Sequence, residues 1–310
     1  MKNTVLIVGL GKIGMLYSNN KKIYNNHSDL FYNSKKFKLL TGVDKNKKKI
    51  LKFKKKYSLA TYSNLAKAYF ELKPEIIVIS VDTKSMPEIY NQIIKKKIKP
   101  KYFILEKPGS FNYENLRRIY LYCKKNNINL IMNYQRNFSN LNSKIKNEIF
   151  QHKTSRVLVK LDIIYNKGFY NSCSHYLNFL LSIIDKSYFQ KIKIKKRYKI
   201  SSVHDLFFDF SFNSKILINF VYKKNHDEKI EFLFNDNFKI VYLTEKKIVY
   251  TLNNKKRKKI ASDINYCQQN LLKQFNQNKI KQNYFLKNSL LTLNLLNKIK
   301  DSLFNYKKMQ

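Results

Sequence analysis

One stretch near the N-terminus decides the fold: TVLIVGLGKIG, residues 4–14. Its first five residues, Thr4 to Val8, form a continuous β-branched and aliphatic run, as expected of a strand buried on both faces of a parallel sheet. The run stops at Gly9 and passes directly into a Gly-x-Gly-x-x-Gly pattern that precedes a helix-compatible stretch. This context predicts a strand, a tight turn and a helix in the arrangement that binds a dinucleotide.

The three glycines of this pattern have different physical roles. Gly9 permits the tight turn, Gly11 lets the backbone approach a pyrophosphate, and Gly14 lets the helix lie close to the strand. The N-terminus of the helix then faces the phosphates. Gly-x-Gly also occurs by chance in turns, so the interpretation depends on the strand before it and the helix after it. The candidate cofactor-binding residues here are Gly9, Gly11, Lys12, Ile13 and Gly14.

A second predicted strand, Phe37 to Val43, ends in Asp44. A Rossmann fold places at this position the carboxylate that accepts hydrogen bonds from the adenosine ribose hydroxyls. An acidic side chain here disfavours the 2′-phosphate of NADP, so NAD is the expected cofactor. NADP remains an alternative, because Lys45 and Lys47 follow closely and carry positive charge.

The chain between the glycine motif and Asp44 is longer than usual. The carboxylate normally follows the motif by about 20 residues. Here Gly14 lies farther away, and we interpret Asn19 to Ser28 as an inserted loop. Asp44 has an alternative role as the N-cap of a helix over Lys45 to Lys55. One aspartate can fill both roles, so neither excludes the other.

The pattern of secondary structure changes after about Arg136. Up to that point strands alternate with helical segments, which predicts a doubly wound parallel sheet. From Arg156 onward consecutive strands dominate, which predicts an open, mostly antiparallel sheet with a helix over Asn171 to Ile184. The predicted strands are Val157 to Ile164, Phe207 to Phe212, Ile216 to Tyr222, Lys229 to Phe234, Phe238 to Leu243 and Lys247 to Thr251. Helices over Ile264 to Phe275 and Ser289 to Ile299 close the chain.

The fold class is therefore α/β. A length of 310 residues favours two domains of ordinary size. We predict an N-terminal Rossmann domain that binds NAD(P) over residues 1–137. A C-terminal α+β domain with an open, mostly antiparallel sheet follows over residues 138–310 and would supply the substrate site and the dimer contacts.

The net charge of +42 makes a nucleic acid or an anionic membrane the default partner of such a chain. The lysines, however, are spread along the chain, for example at Lys47 to Lys49, Lys95 to Lys97 and Lys255 to Lys259, rather than gathered in one tail. They come with heavy use of Asn, Ile, Tyr and Phe, the residue set of AT-rich codons. We attribute the charge to composition and expect no specific nucleic acid partner, while a preference for anionic substrates stays open.

Cysteine usage and the N-terminus point to the cytoplasm. Cys123, Cys173 and Cys267 are far apart and lack Cys-x-x-Cys spacing, so neither a disulfide framework nor a metal site is expected. The N-terminal apolar run is interrupted at once by glycines, unlike a signal peptide. No segment has about 18 uninterrupted apolar residues, so no membrane partner is expected.

A charged pair stands at the end of the fifth predicted strand, in the sequence ILEKP, residues 104–108. Taken alone, Lys107 would be interpreted as one more solvated lysine. Ligands of open parallel sheets, however, bind at the carboxyl ends of the strands, where Lys107 stands. The tripeptide Glu106-Lys107-Pro108 resembles the signature of the Gfo/Idh/MocA oxidoreductases, named for glucose–fructose oxidoreductase and inositol dehydrogenase. Other pieces follow the family order: GLGKIG at 9–14, GVD at 42–44, NYQRNF at 133–138, GFYNSCSH at 168–175 and LLKQF at 271–275.

The resemblance implies roles for several residues. Lys107 would sit beside the nicotinamide and the substrate hydroxyl, with Glu106 among the residues near the cofactor. Thr83 lies in a turn that replaces a stretch where many relatives carry Pro and His, and we expect it to line the cofactor. The family often has a cis bond before Pro108, an isomer that the sequence leaves open. The exposed sheet face of the second domain commonly makes a dimer interface in the family, so a homodimer or homotetramer is expected.

The segment Gly168 to His175 resembles the second catalytic motif of the family, in which a histidine follows an acidic residue by four positions. Residues four apart share one helix face. Here Asn171 takes the acidic position, and an amide orients a hydroxyl but does not accept its proton at neutral pH. Proton transfer then moves to His175, with Lys107 as helper or competitor, while His175 packed on an apolar helix is the alternative. Arg136 is a candidate contact for an anionic or polyhydroxy substrate, against a purely structural ion pair.

Together these features predict an NAD(P)-dependent dehydrogenase or reductase that acts on CH–OH groups. The expected substrate is a sugar, a cyclitol or a nucleotide sugar, with surface-glycan biosynthesis as one setting. The alternatives are a non-catalytic NAD(P)-binding regulator of the same fold and, with less support, a basic nucleic-acid-binding protein, whose binding would weaken steeply with salt.

Overall fold

The computed structural model describes residues 2–17, 25–139, 141–151, 156–198, 206–253, 256–262, 271–272 and 282–305. The chain folds as two compact units: residues 1–138 with 266–290 form the first, and residues 139–265 with 291–310 form the second. The predicted division gave all of residues 138–310 to the second domain. Leu271, however, packs in the hydrophobic core of the first unit, together with Val5, Ile7 and Phe53.

A six-stranded sheet forms the centre of the first unit, in the order β3-β2-β1-β4-β5-β6, and every strand pair in it is parallel. The chain runs from β1 to one side and then returns to β4 on the other side of β1. The carboxyl ends of β1 and β4 therefore form the switch point, where ligands of such sheets bind. The strands are β1 (Asn3–Val8), β2 (Phe37–Val43), β3 (Thr61–Tyr62), β4 (Ile76–Ile79), β5 (Tyr102–Glu106) and β6 (Asn129–Asn133).

Asparagine begins most helices of the first unit. The side chains of Asn26, Asn46, Asn64 and Asn112 each accept a hydrogen bond from a backbone amide in the first helical turn. Such caps satisfy amides that have no partner within the helix. The helices are α1 (His27–Tyr32), α2 (Lys47–Tyr57), α3 (Leu65–Leu72), α4 (Met86–Lys95) and α5 (Tyr113–Lys125).

The structure differs locally from the sequence analysis at several places in the first unit. The cap of α2 is Asn46 rather than Asp44, because the Asn46 side chain accepts from Lys49 N at 3.2 Å. The glycine motif is followed by a single turn of π-helix, Lys12–Leu16. Of the stretch interpreted as an inserted loop, residues 19–24 lie outside the described residues, whereas residues 27 and 28 begin α1.

The second unit contains an eight-stranded sheet in the order β14-β13-β12-β11-β7-β10-β9-β8. The β7 and β10 strands are parallel and the other pairs are antiparallel, which confirms a mostly antiparallel sheet. The strands are β7 (Leu158–Tyr165), β8 (Ile192–Arg197), β9 (Phe208–Asn213), β10 (Leu217–Tyr222), β11 (Lys229–Phe234), β12 (Lys239–Leu243), β13 (Ile248–Asn253) and β14 (Lys256–Ser262).

Aromatic rings fill the buried face of this sheet. Phe208, Phe210 and Phe212 on β9 are fully buried, and the rings of Phe210 and Phe220 stack with centroids 4.5 Å apart. Alternate residues of a strand share one face, so one face packs while the other carries the polar side chains. The described residues also include the helices α6 (Leu141–Gln151), α7 (Ser174–Leu181) and α8 (Gln282–Asn305).

The predicted helices of the C-terminal half are only partly matched. The predicted Asn171–Ile184 helix is a π-turn over Phe169–Cys173 followed by α7. The predicted Ser289–Ile299 helix lies within the longer α8. Most of the predicted Ile264–Phe275 helix falls outside the described residues, apart from Leu271 and Leu272.

Among the described residues, no helix combines the length and apolar character needed to cross a bilayer. The same part of the chain holds no cluster of three or more His, Cys, Asp or Glu side chains suited to a metal ion.

Candidate functional site

A cavity of about 860 Å³ opens at the carboxyl edge of the parallel sheet in the first unit. It is formed by the glycine turn after β1, the end of β2, the start of α3, the loop after β4 and one side of α4 along its length. Of the residues predicted to bind the cofactor, Gly9, Gly11, Lys12, Ile13 and Asp44 line it. Gly14, Thr83 and Glu106 do not, although Val81, Asp82 and Ser85, on either side of Thr83, do.

Close packing explains two of the three motif glycines. Gly9 has a φ of +90°, and a Cβ there would lie 2.6 Å from the backbone nitrogen of Val81. A Cβ at Gly14 would lie 1.9 Å from the carbonyl oxygen of Gly9. Both contacts are with backbone, which cannot move aside as a flexible side chain can. Gly9 therefore lets the turn pack closely against the loop after β4, and Gly14 lets the following helical turn pack closely against Gly9.

Gly11 differs from the other two glycines because a Cβ there would meet no atom within 4 Å. Its backbone is extended, with φ −75° and ψ −160°, so any residue could adopt it. The space beside Gly11 is part of the cavity. A side chain at this position would fill that space, which is the volume that a pyrophosphate needs when it approaches the backbone. The residues present thus fit a dinucleotide.

The turn after Gly11 supplies backbone donors. The carbonyl oxygen of Gly11 accepts hydrogen bonds from the amides of Met15 and Leu16, at 2.9 and 3.0 Å. The amides of Lys12, Ile13 and Gly14 come before the first of these bonds, so the helix offers them no partner. A five-residue turn has little of the macrodipole of a long helix. An anion bound here would therefore be held by individual N–H groups and by the Lys12 side chain, which also lines the cavity.

Asp44 is fixed by backbone amides on both of its carboxylate oxygens. Oδ2 accepts from Leu10 N at 2.8 Å, and Oδ1 accepts from Asn46 N at 2.8 Å. The Lys49 ammonium lies 3.6 Å from Oδ2. The carboxylate therefore ties the glycine turn to the end of β2. It still lines the cavity, where free lone pairs can accept ribose hydroxyls.

Glu106 is held by two side chains instead. Its Oε1 atom accepts from His27 Nε2 at 2.7 Å and from Asn133 Nδ2 at 2.6 Å. All three residues are buried. Burial alone would raise the pKa of Glu106, but the bonds from His27 and Asn133 and the positive charge of Lys107 outweigh it and hold the pKa below its usual value. Glu106 is thus an ionised carboxylate at neutral pH.

The turn after β5 is packed closely around Lys107. The Lys107–Pro108 peptide bond is cis, and Gly109 follows with a φ of +80°. The buried hydroxyl of Tyr90 donates to the carbonyl oxygen of Gly109 at 2.5 Å. Lys107 itself is half-buried between two buried neighbours. The turn therefore presents this lysine from a fixed backbone.

The sequence analysis missed His27, which it placed in the inserted loop. A helix-start signal was available in Asn26-His27-Ser28-Asp29, where an asparagine precedes an acidic residue by three positions. The Asn26 side chain accepts from Asp29 N at 2.8 Å. That signal predicts the helix but not the partner of the histidine, because Glu106 lies 79 residues away in the chain.

Arg136, also in the first unit, is half-buried in a 3₁₀ turn over Gln135–Phe138.

The second unit carries the remaining two predicted site residues. Asn171 is exposed in the π-turn Phe169–Cys173, and His175 is half-buried in the first turn of α7. The next residue, Tyr176, anchors this helix through a buried network: its hydroxyl donates to Glu228 at 2.5 Å and lies 3.0 Å from the Thr244 hydroxyl. Asn171 and His175 thus extend from a firmly anchored segment.

Comparison with known proteins finds a family match within the first unit. Residues 3–134 match the family model of the Gfo/Idh/MocA oxidoreductases, described as an oxidoreductase family with an NAD-binding Rossmann fold. No curated protein matches this sequence.

Several solved structures share the fold along nearly the whole chain. A Gfo/Idh/MocA family oxidoreductase from Vibrio cholerae has a TM-score of 0.71 and 11% identity, with 100% of each chain covered. The WlbA dehydrogenase from Bordetella pertussis, in complex with NADH and UDP-GlcNAcA, has a TM-score of 0.73 and 12% identity, over 98% of this chain and 96% of that one.

A third structure is the 3-ketoreductase KijD10 from Actinomadura kijaniata, crystallised with TDP-benzene and NADP. It has a TM-score of 0.77 and 6% identity, over 97% of this chain and 98% of that one. At these identities the structures show a common fold. The match over residues 3–134 confirms the resemblance found in the sequence: this part of the chain matches the NAD-binding Rossmann fold of the Gfo/Idh/MocA oxidoreductases.

Proposed function

We propose that the protein is an NAD(P)-dependent dehydrogenase or reductase that acts on a CH–OH group of a sugar, cyclitol or nucleotide sugar. The observation that carries this proposal is the edge of the parallel sheet. A cavity suited to a dinucleotide lies at this edge, and the fixed turn that presents Lys107 follows β5 of the same sheet. Two structural relatives with nucleotide-linked ligands, UDP-GlcNAcA and TDP-benzene, support a nucleotide sugar as the substrate class.

In this proposal residues 1–137 bind the cofactor. The amides of Lys12, Ile13 and Gly14 bind phosphate oxygens, and Asp44 accepts the ribose hydroxyls. The bound nicotinamide supplies or accepts the hydride. We favour NAD, because the Asp44 carboxylate at the end of β2 disfavours a 2′-phosphate, with Lys45 and Lys49 on the cavity wall as the features that favour NADP.

Residues 138–310 provide most of the substrate site in this proposal. His175 takes the hydroxyl proton in oxidation and returns it in reduction, a role suited to a side chain with a reference pKa of about 6.5. Lys107 acts as a cation that stabilises the developing alkoxide. Asn171 orients the hydroxyl, and Arg136, from the preceding domain, binds an anionic or polyhydroxy part of the substrate. The open sheet would make the dimer contact of a homodimer or homotetramer.

The proposal is tested in two steps. The protein contains no Trp, so the fluorescence of bound NADH can be titrated with little interference. We expect saturable binding of NADH, weaker binding of NADPH, and a change in NADH absorbance with at least one member of a panel of nucleotide sugars and free polyols.

The two steps separate the alternatives. An absence of saturable binding with either reduced nucleotide contradicts the proposal at its first step. Tight NADH binding without turnover across the panel favours the non-catalytic regulator instead. Submicromolar binding to duplex DNA at physiological salt would favour the nucleic-acid-binding alternative, because nonspecific binding is normally about 10⁻⁴ to 10⁻⁶ M.

A further inference from the structure

His27 is a buried histidine outside the residues assigned above. Its side chain is fully buried, and its Nε2 atom lies 2.7 Å from Glu106 Oε1. A carboxylate only accepts hydrogen bonds, so Nε2 carries the proton and donates it. A buried charged hydrogen bond of this kind is stronger than a neutral one and fixes both partners. The ring therefore determines where the Glu106 carboxylate lies.

The residues on either side of His27 bind the glycine turn. Asn26 Nδ2 donates to the carbonyl oxygen of Tyr17 at 2.9 Å, and Ser28 Oγ donates to that of Gly14 at 2.6 Å. These two contacts hold the histidine against the backbone of the cofactor turn on one side. Its ring reaches the end of β5 on the other side. His27 thus connects the glycine turn to the strand that leads into Lys107.

The next residue, Asp29, secures this segment to the core of the unit. Its carboxylate accepts from Tyr57 at 2.7 Å and from the Lys56 ammonium at 2.7 Å. Burial would raise the pKa of Asp29, but the bonds from Lys56, Asn26 and Tyr57 lower it overall. With Asp29 ionised and fully bonded, the start of α1 has little freedom to move away from Glu106.

Both hydrogen bonds to Glu106 use the same oxygen, Oε1. His27 comes from α1 and Asn133 from β6, so two elements hold one side of the carboxylate. Among the described residues, the titratable side chains that lower the pKa of Glu106 most are His27 from α1 and Lys107, the next residue in the chain, whereas Asn133 from β6 is neutral. An anion fixed at this place favours the protonated form of a neighbouring ammonium.

We propose that His27 is a positioning residue, which holds the Glu106 carboxylate beside Lys107 and so keeps the Lys107 ammonium charged and in place. This proposal rests on the function proposed above only because that function gives Lys107 a role on the substrate. The contact between His27 and Glu106 does not depend on that function. In this arrangement Lys107 acts as the cation rather than as the proton acceptor, which leaves proton transfer to His175.

The test measures Lys107 directly and needs no substrate. Purified full-length protein is labelled with acetic anhydride over a range of pH, and the acetylated fraction of Lys107 is read by peptide mass spectrometry. Only the neutral amine reacts, so the midpoint reports the charge state of this one lysine. Lys101, an exposed lysine just before β5, serves as the internal control in every sample.

Three variants test the proposal. His27→Leu leaves the Glu106 carboxylate held by Asn133 alone and free to turn away from Lys107, so the midpoint for Lys107 should fall to lower pH, by up to about one pH unit as the neighbouring charge moves away. His27→Gln keeps an N–H near the position of Nε2 and should restore most of the wild-type midpoint. Glu106→Gln should shift it at least as far as His27→Leu, and combining the two should add little, because both remove the same interaction. The Lys101 midpoint should not move.

Each outcome is decisive. A wild-type midpoint for Lys107 in folded His27→Leu protein overturns the proposal. If His27→Leu does not fold, Glu106→Gln decides: an unchanged midpoint in this near-isosteric variant overturns the proposal as well. Because labelling requires neither NADH nor turnover, a protein that fails every activity assay still tests the role of His27. Conversely, an active enzyme with an unmoved midpoint refutes that role alone.

Discussion

Two carboxylates at the edge of the parallel sheet, Asp44 after β2 and Glu106 at the end of β5, are held in different ways. Asp44 is bound by the backbone amide of Leu10, which lies in the neighbouring glycine turn, and by that of Asn46, which lies in its own loop. Glu106 is bound by the side chains of His27 and Asn133, from two other elements. A backbone donor is present whatever the residue type, whereas a side-chain donor is lost by one substitution. The Glu106 end of the site is therefore the more sensitive to mutation.

The largest effect is expected for Lys107, which follows Glu106 in the chain, and for His175, the two residues with proposed catalytic roles. Lys107→Ala and His175→Ala should each lower kcat by about 10²- to 10⁴-fold, the usual cost of removing a catalytic acid, base or charge. NADH affinity should stay the same, because neither residue belongs to the glycine turn. Asn171→Ala should raise KM more than it lowers kcat. Steady-state kinetics and NADH titration measure both, with Lys101→Ala as the matched lysine control.

Near-wild-type turnover in both the Lys107 and His175 variants would refute their assignment. A parallel loss of NADH binding in both would show that they support the fold instead.

The glycine turn on the Asp44 side should respond next most strongly. Gly14→Ala places a Cβ 1.9 Å from the Gly9 carbonyl oxygen and should destabilise the protein by at least the ~1–3 kcal/mol typical of overpacking. Gly11→Ala meets no atom and should change stability by less than about 0.5 kcal/mol. It should nevertheless weaken NADH binding, because the methyl group enters the cavity. Urea unfolding and NADH titration of the two variants separate packing from binding, and equal losses of stability would contradict this assignment.

The lowered pKa of Glu106 predicts a pH-dependent contribution to stability. A carboxyl group whose pKa is lower in the folded state stabilises the protein above its unfolded value, near 4.5, and loses this effect as pH falls through the folded value. Wild-type protein should therefore exceed Glu106→Gln in unfolding free energy at neutral pH, and the difference should shrink in acid. Glu88→Gln, which alters an exposed carboxylate, is the control. A difference that stays constant down to the lowest accessible pH would argue against an ionised Glu106.

The smallest effect is expected for cofactor preference at Asp44. Asp44→Ser removes the negative charge that disfavours a 2′-phosphate while leaving Lys45 and Lys49 on the cavity wall. We expect the ratio of NADPH to NADH affinity to rise by about tenfold, or ~1.4 kcal/mol. Parallel fluorescence titrations measure it. An unchanged ratio would limit Asp44 to holding the Leu10 and Asn46 amides.

Strand prediction succeeded where hydrophobic periodicity was strong. The predicted Phe37–Val43 strand is β2, and the predicted Phe207–Phe212 strand differs from β9 by one residue at each end. Two lysine-rich strands, β8 with sequence IKIKKR and β14 with sequence KRKKIAS, were missed. Both lie at the edges of the eight-stranded sheet. Charged side chains protect such edges from further pairing and, for the same reason, weaken the apolar pattern that identifies a strand.

The sequence by itself determined the strand and glycine turn of residues 4–14, because the apolar run and the glycine spacing are both local patterns along the chain, whereas the contact that excludes a side chain at Gly9 comes from the distant Val81. It also determined that Glu106 and Lys107 end a parallel strand. Only the tertiary structure decided that His27 binds Glu106, across 79 residues of chain. It likewise decided that Asn46 rather than Asp44 caps α2, since either side chain could accept the amide hydrogen bond and the Leu10 amide had already engaged Asp44. Local patterns record what a residue can bond to, and the packed fold selects which partner it meets.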